Sequence, residues 1–393
     1  MTTREQFEDL VRAGAALAGA ALDGLDLSTL GDARLAGARL AGAWLGSADL
    51  SRADLSAADL ASSDLSRSRL AGAYLLGADL RGAVLRDADL SHADLTRADL
   101  RGADLTGADM RASVLAGASL SGADLSGKDL GLAVLIDADL SRADLTGAVL
   151  DIVQLDGADL SHADLTRAAF RQASLRRARL DSTTLAAATF ETTDLSGVDL
   201  STVELRGLSF TRCSFRGCAL AGRSFIECDL TGSDLSDADL ASARFERCDL
   251  SLASFQRARM AGASLVDQVA RGAFFGEADL SGANLSQSML RYATFTGARL
   301  ERAGLVGCDL RETMVNRVAA AGASFVRARL CYSDLSHSDL SGASFAGADL
   351  SSATLHAVRG TDTNWKGANM RGVRRDDPDR LEAELWRPPP GAG

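Results

Sequence analysis

SHADLTRADLRGADLTGADM, residues 91–110, places a large apolar side chain at positions 95, 100, 105 and 110 and alanine at 93, 98, 103 and 108. Outward from this stretch, the five-residue register holds without a phase slip from Leu25 to Met370. Of its 70 slots, Leu fills 51 and Phe 11, and Met110, Met260, Met370, Val315 and Trp365 fill five more. Only Ala270, Ala320 and Gly360 lack a large side chain. An α-helix turns through about 500° in five residues and would smear such a stripe around its whole surface, while a flat strand has a period of two. What remains is a coil that turns a corner every five residues and stacks on itself. The small residue two places before each large one then shares its inward face, because side chains alternate along extended backbone.

Phenylalanine spacing tests how many sides the coil has. Six pairs lie 20 residues apart, 170/190, 190/210, 225/245, 255/275, 275/295 and 325/345, against one pair at 15 (Phe210 and Phe225) and one at 25 (Phe190 and Phe215). Like-on-like stacking keeps volumes matched between layers, so four sides per coil are expected. With layers about 4.8 Å apart, the 70 sides make roughly 17 coils and a rod on the order of 80 Å long. Four buried large side chains are worth about 6–12 kcal/mol, while ordering 20 residues of backbone costs about 20–40 kcal/mol. A single coil therefore cannot stand alone, and the ends of the stack need covers.

The expected fold is an all-β solenoid, a quadrilateral β-helix over residues 25–370 with short helical caps. Residues 1–24 form the N-terminal cap and lead-in, where Thr3 and Gln6 make a capping box before Phe7, Leu10 and Val11. Residues 371–393 hold a short helix opened by Asp377 and Pro378 and running through Leu381, Leu385 and Trp386, then the proline-rich tail RPPPGAG. Departures from the repeat cluster at 151–155, 266–275, 311–320 and 356–360, and Lys128, Arg223 and Gln268 occupy the small inward slot. A bulge or short loop is expected at some of these.

The formal charge of −11 argues against direct binding of nucleic acid. Residues 1–250 hold 25 basic and 38 acidic side chains, a net of −13, and residues 251–393 hold 17 and 15, a net of +2. No run of about 18 apolar residues occurs, so no membrane span is expected, and MTTREQFEDLVRAG lacks the basic and apolar regions of a secretion signal. The expected location is the cytoplasm. Cys213, Cys218, Cys228, Cys248 and Cys308 fall in the small inward slot and read as core filling; Cys228 and Cys248 stack, but a cytoplasmic setting disfavours their pairing. His92, His162 and His337 fall on three different sides and His356 in an irregular segment, so neither a catalytic triad nor a zinc site is expected from the four together. With no phosphate loop, paired-acid pocket or nucleophile elbow, the chain reads as a binding surface, not an enzyme, without metal or cofactor.

The runs SRADLSAADL (51–60), SHADLTRADLRGADLTGADM (91–110) and SGADLSGKDL (121–130) resemble the pentapeptide-repeat family, whose consensus is A(D/N)Lxx. The resemblance covers about nine tenths of the chain and implies a right-handed quadrilateral β-helix. It also implies bacterial roles of two kinds. Some members mimic duplex DNA, bind DNA gyrase and confer quinolone resistance or self-protection; others accompany secretion systems, including type VI loci. Homodimerisation through the C-terminal coils belongs to the same set of expectations.

Aspartate fills the outward slot before the large residue 27 times. Asp59, Asp79, Asp99, Asp139 and Asp159 fall on one side, and Asp49, Asp89, Asp109 and Asp129 on the opposite one. Stacked carboxylates should repel and raise one another's pKa. Against one charge per ~1.7 Å in duplex DNA, −11 over the expected rod is a diluted imitation. A second candidate surface is apolar: Tyr74, Val114 and Val134 share an outward side, with Leu132 and Ile136 nearby. The function expected is a non-enzymatic protein-binding rod, most concretely an acidic binder of DNA gyrase or another DNA-handling enzyme, alternatively an adaptor of a secretion apparatus.

Overall fold

The structure, a computed structural model, describes residues 30–385 together with Asp9. Apart from Asp9, the expected N-terminal cap at 1–24 lies outside the described residues, as do Leu25, Trp386 and the tail. The chain divides into two compact units, one ending at Ser214 and the other beginning at Phe215.

One side of the coil explains the rest. The Leu30 carbonyl accepts the Ala33 N–H at 3.0 Å, and Asp32 between them has φ +58°, a turn with a left-handed third residue. Ala33 and Leu35 then point inward and are fully buried, while Arg34 between them faces out. The Leu35 N–H donates to Asp54 O at 2.7 Å, the Asp54 N–H to Ala33 O at 2.8 Å, and the Gly37 N–H to Ser56 O at 2.8 Å. These partners lie 19 or 21 residues away, on the neighbouring coil, and every bridge joins residues 20 apart and is parallel. Four five-residue sides thus close one coil, and the crossover preference of parallel strands makes it right-handed.

The turn imposes its geometry whatever residue occupies it. Among the described residues, left-handed φ occurs at 41 non-glycine residues as well as at 27 glycines. An L-residue there costs about 1–2 kcal/mol, so ladder bonds and core packing must overcome that strain at more than half of the turns.

In five places the bridge widens into a true strand within the first unit: β1 (Val149–Asp151), β2 (Ala169–Arg171), β3 (Thr189–Glu191), β4 (Leu205–Arg206) and β5 (Ser209–Thr211). β1, β2, β3 and β5 pair in that order, with Leu150, Phe170, Phe190 and Phe210 in register. In the second unit β6 (Ser224–Ile226) pairs with β7 (Arg244–Glu246), setting Phe225 beside Phe245. All six phenylalanine pairs expected at 20-residue spacing stack, with ring centroids from 4.6 to 5.1 Å apart. Polar residues in the small slot satisfy themselves on turn carbonyls, as Ser63 does on Leu60 O at 2.7 Å and Cys308 on Leu285 O at 3.0 Å.

The bulges expected at 266–275, 311–320 and 356–360 do not form; turn and bridge alternate through all three. Gln268 shows why. Its Oε1 accepts the Cys248 N–H at 2.7 Å and its Nε2 donates to Val266 O, so the buried amide replaces backbone partners without expelling chain. Lys128 does disrupt its surroundings. Its ammonium enters the core side and donates to Leu105 O at 2.5 Å and Ala108 O at 3.3 Å. Six ladder bonds that the repeat would make between Gly102–Met110 and Ser121–Asp129 are missing, together with the bridges of Asp104 to Asp124 and Asp109 to Asp129. A seam opens there. A second irregularity falls where no consensus break was expected: Thr202, alone among the described turn positions, lacks left-handed φ, and its Oγ1, not a backbone carbonyl, takes the Ser182 N–H.

The expected C-terminal helix is present as Pro378–Leu385. Asp377 Oδ1 accepts the Asp379 N–H at 3.1 Å and caps its start.

Candidate functional site

The outward slot shows why aspartate recurs there. Four of the five backbone N–H groups per side are taken by turn and ladder bonds, and the fifth, two residues after the aspartate, is not. The carboxylate supplies its acceptor: Ser51 N–H donates to Asp49 Oδ1 at 3.1 Å, Thr96 N–H to Asp94 at 3.0 Å, and Ser141 N–H to Asp139 at 3.0 Å. The aspartates are first of all parts of the turn.

Their columns are arranged as the 20-residue count implies. Asp59, Asp79 and Asp99 bridge in sequence, Ser119 interrupts, and Asp139 and Asp159 continue. On the opposite side Asp49, Arg69, Asp89 and Asp109 follow one another, and Asp129 bridges to Val149 beyond the seam. Mutual repulsion does not govern Asp49, Asp79, Asp99 and Asp109, contrary to expectation. Hydrogen bonds from Arg81, Arg101 and Arg111 hold Asp79, Asp99 and Asp109 below the usual carboxylate range, and the Ser51 hydrogen bonds do the same for Asp49. Arg81 reaches Asp79 at 2.5 Å and Asp99 at 3.7 Å, and Arg179 reaches Asp159 at 2.9 Å. Much of each acidic column is therefore neutralised locally, whereas Asp59, Asp89, Asp129 and Asp139 keep no arginine within ion-pair distance among the described residues.

The apolar candidates also come together in part. Tyr74, Val114 and Val134 occupy one column, but Asp94 separates Tyr74 from Val114. Leu132 stands exposed at the turn of the same side, Ile152 follows it one coil on, and Ile136 lies around the corner, half-buried. The second unit holds a larger set that the reading by short neighbourhoods missed: Leu252, Phe274, Tyr292, Met314 and Tyr332, all exposed and all on one side of the coil. Arg291 lies over the Tyr292 ring at 4.6 Å. The signal was present as outward residues recurring every second coil, 40 residues apart, in two columns of one side: Leu252, Tyr292 and Tyr332, and Phe274 and Met314.

The cysteines behave as expected of core filling. Five of the six are buried, and burial pushes the Cys213 and Cys308 thiols up to about 12. Histidine departs from expectation. His337 and His356 meet edge to face at 5.4 Å, and the helix brings Glu384 Oε2 to 3.5 Å from His337 Nε2 and 3.3 Å from His356 Nε2. Residues 19 apart are neighbours across adjacent coils, which counting sides alone did not reveal. Among the described residues, no helix is long and apolar enough to cross a membrane.

Comparison with known proteins supplies the context. The family model "Pentapeptide repeats" matches in eight copies, at 33–72, 63–102, 73–111, 113–151, 154–191, 185–222, 278–313 and 323–359, and the model "Pentapeptide repeat region" matches 208–285. No curated protein matches the chain. Similar solved structures include HetL, a pentapeptide repeat protein involved in heterocyst differentiation regulation from the cyanobacterium Nostoc, at 22% identity over 80% of this chain and 88% of that one, with a TM-score of 0.19. QnrB1, a plasmid-mediated fluoroquinolone resistance protein, is 18% identical over 64% and 92%, TM-score 0.19. A pentapeptide repeat protein of the Arabidopsis thaliana thylakoid lumen is 30% identical over 30% and 70%, TM-score 0.15. The five-residue register, the 20-residue ladder and the family matches agree: this chain belongs to the pentapeptide-repeat family.

Proposed function

We propose that this protein is a binding solenoid that engages a protein partner through the apolar side of its coils and carries out no catalysis. One observation carries the reading. Among the described residues of the second unit, five of the seven exposed large hydrophobics, Leu252, Phe274, Tyr292, Met314 and Tyr332, fall on one side of four, and Val266 and Met289 do not. Among the described residues of the first unit, Tyr74, Leu132 and Ile152 are three of five. Scatter would spread them evenly, and aromatic residues flanked by arginine are the composition of interface centres. Val114, Val134 and Ile136 extend the first unit's patch. A cytoplasmic adaptor, including one serving a secretion apparatus, would use these sides. The test is affinity capture with the triple variant Phe274→Ser, Tyr292→Ser, Tyr332→Ser, all at outward positions that leave the core intact. Loss of one specific partner relative to wild type supports the proposal; an unchanged partner set refutes it.

A second reading rests on the in-register carboxylates of the first unit. Asp59, Asp79, Asp99, Asp139 and Asp159, with Asp49, Asp89, Asp109 and Asp129 opposite, present repeated negative charge to an enzyme that handles DNA, such as gyrase. The arginine clamps on Asp79, Asp99, Asp109 and Asp159 weaken this reading. A supercoiling assay decides it: inhibition or protection by wild type that disappears on charge reversal at Asp59, Asp89 and Asp139 supports gyrase binding, and no effect of wild type removes it. Self-association through the last coils is the remaining proposal, motivated by the half-buried inward residues Trp365 and Met370, and sedimentation of the full chain tests it.

A further inference from the structure

We propose that His337, His356 and Glu384 form a site for a divalent transition-metal ion of the zinc class, which fastens the C-terminal helix to the second unit. The two histidines are brought together by the coil itself: the His337 N–H donates to the His356 carbonyl at 2.8 Å, one rung of the ladder between neighbouring coils. Glu384 comes from the last turn of the helix Pro378–Leu385. One donor atom from each residue lies within 4.8 Å of the other two. The nitrogen-to-oxygen separations of 3.3 and 3.5 Å match what a tetrahedral ion with ligand bonds of about 2.0–2.1 Å requires, close to 3.4 Å between donors.

The chemistry selects the class of ion. Two neutral imidazoles and one carboxylate suit zinc, cobalt or nickel; calcium and magnesium prefer all-oxygen shells. The fourth position is available to water, because a cavity of about 710 Å³ lined by Met314, Asp334, His337, Leu381 and Glu384 opens beside the cluster. His356 is 2% exposed, so one ligand is held rigidly by packing. Its Nδ1 accepts the Asp377 N–H at 3.3 Å, which leaves the proton on Nε2 facing Glu384. An ion at Nε2 moves that proton to Nδ1, the ring stays neutral, and the Asp377 amide turns away. Loading therefore gives up one long hydrogen bond from the Asp377 amide, while the Asp377 carboxylate and carbonyl that cap the helix keep their bonds to the Asp379 and Leu381 N–H groups.

The test uses the full chain stripped with a chelator and titrated with cobalt(II), whose visible bands report four-coordinate geometry. One equivalent should bind, be displaced by zinc(II), and slow amide exchange in the helix. His337→Ala and Glu384→Gln, both at partly exposed side chains, should each weaken binding by at least about 100-fold, because each removes a direct ligand where outer-shell losses already cost 10–100-fold. The buried His356 is left intact so that loss of binding is not loss of fold. Absence of the bands at one equivalent overturns the proposal. So does a band equally strong in both variants, or thiolate charge-transfer absorption showing that cysteines hold the cobalt.

Discussion

Replacing Lys128 with alanine should close the seam that this residue holds open between Gly102–Met110 and Ser121–Asp129. Six ladder bonds are missing there, and the Lys128 ammonium holds two carbonyls in exchange. At about 1 kcal/mol for each regained backbone bond and about 2 kcal/mol for each lost charge-assisted one, the variant gains roughly 2 kcal/mol. Release of the ordered lysine side chain adds up to about 2 kcal/mol more. Lys128→Ala is thus expected to be more stable than wild type by about 2–4 kcal/mol. Because stability in a solenoid is local and nearest-neighbour in character, the informative assay is amide hydrogen exchange. In wild type the N–H groups of Leu105, Gly107 and Met110 should exchange faster than those of Leu85 and Leu125, which donate into intact ladders; in Lys128→Ala the difference should vanish. Lys128→Met keeps the volume without the charge and should leave the seam open. Unchanged exchange at Leu105 and Gly107 in Lys128→Ala, or a less stable variant, would refute the reasoning.

Burial pushes the Lys128 ammonium below its ordinary value, so the unfolded chain binds more protons, and wild type should gain stability relative to Lys128→Ala as pH rises towards 10; parallel denaturation series read this. The Arg81, Arg101 and Arg111 hydrogen bonds depress Asp79, Asp99 and Asp109 in the folded state. Their contribution is complete above the ordinary value of about 3.9 and is lost as pH falls through the folded values, which an acid titration followed by circular dichroism should show. Asp94→Asn should be nearly neutral because it keeps the acceptor for the Thr96 N–H, whereas Asp94→Ala should cost about 1 kcal/mol in chemical denaturation, as a lost cap does. Ala57→Gly, at an exposed turn with φ +54°, should stabilise by about 0.5–1 kcal/mol by the same assay, since glycine relieves left-handed strain.

By itself the sequence determined the five-residue register, the inward pairing of a small and a large residue, and four sides per coil, because each follows from strict spacing and from the volume matching of phenylalanine. The columns of Asp59, Asp79 and Asp99 and of Tyr74, Val114 and Val134 were legible for the same reason: once the period is known, position modulo 20 assigns the side. What an individual side chain does on its column was decided only by tertiary structure. Asp79 is an acidic candidate in sequence and an arginine-clamped turn acceptor in the fold, because Arg81 lies two residues on and curls back. Gln268 and Lys128 break the same inward slot, yet one amide substitutes for backbone partners while the ammonium prises two coils apart. His337, His356 and Glu384 meet only because the helix Pro378–Leu385 folds back against the last coils, and no period in the repeat specifies where a residue outside it will land.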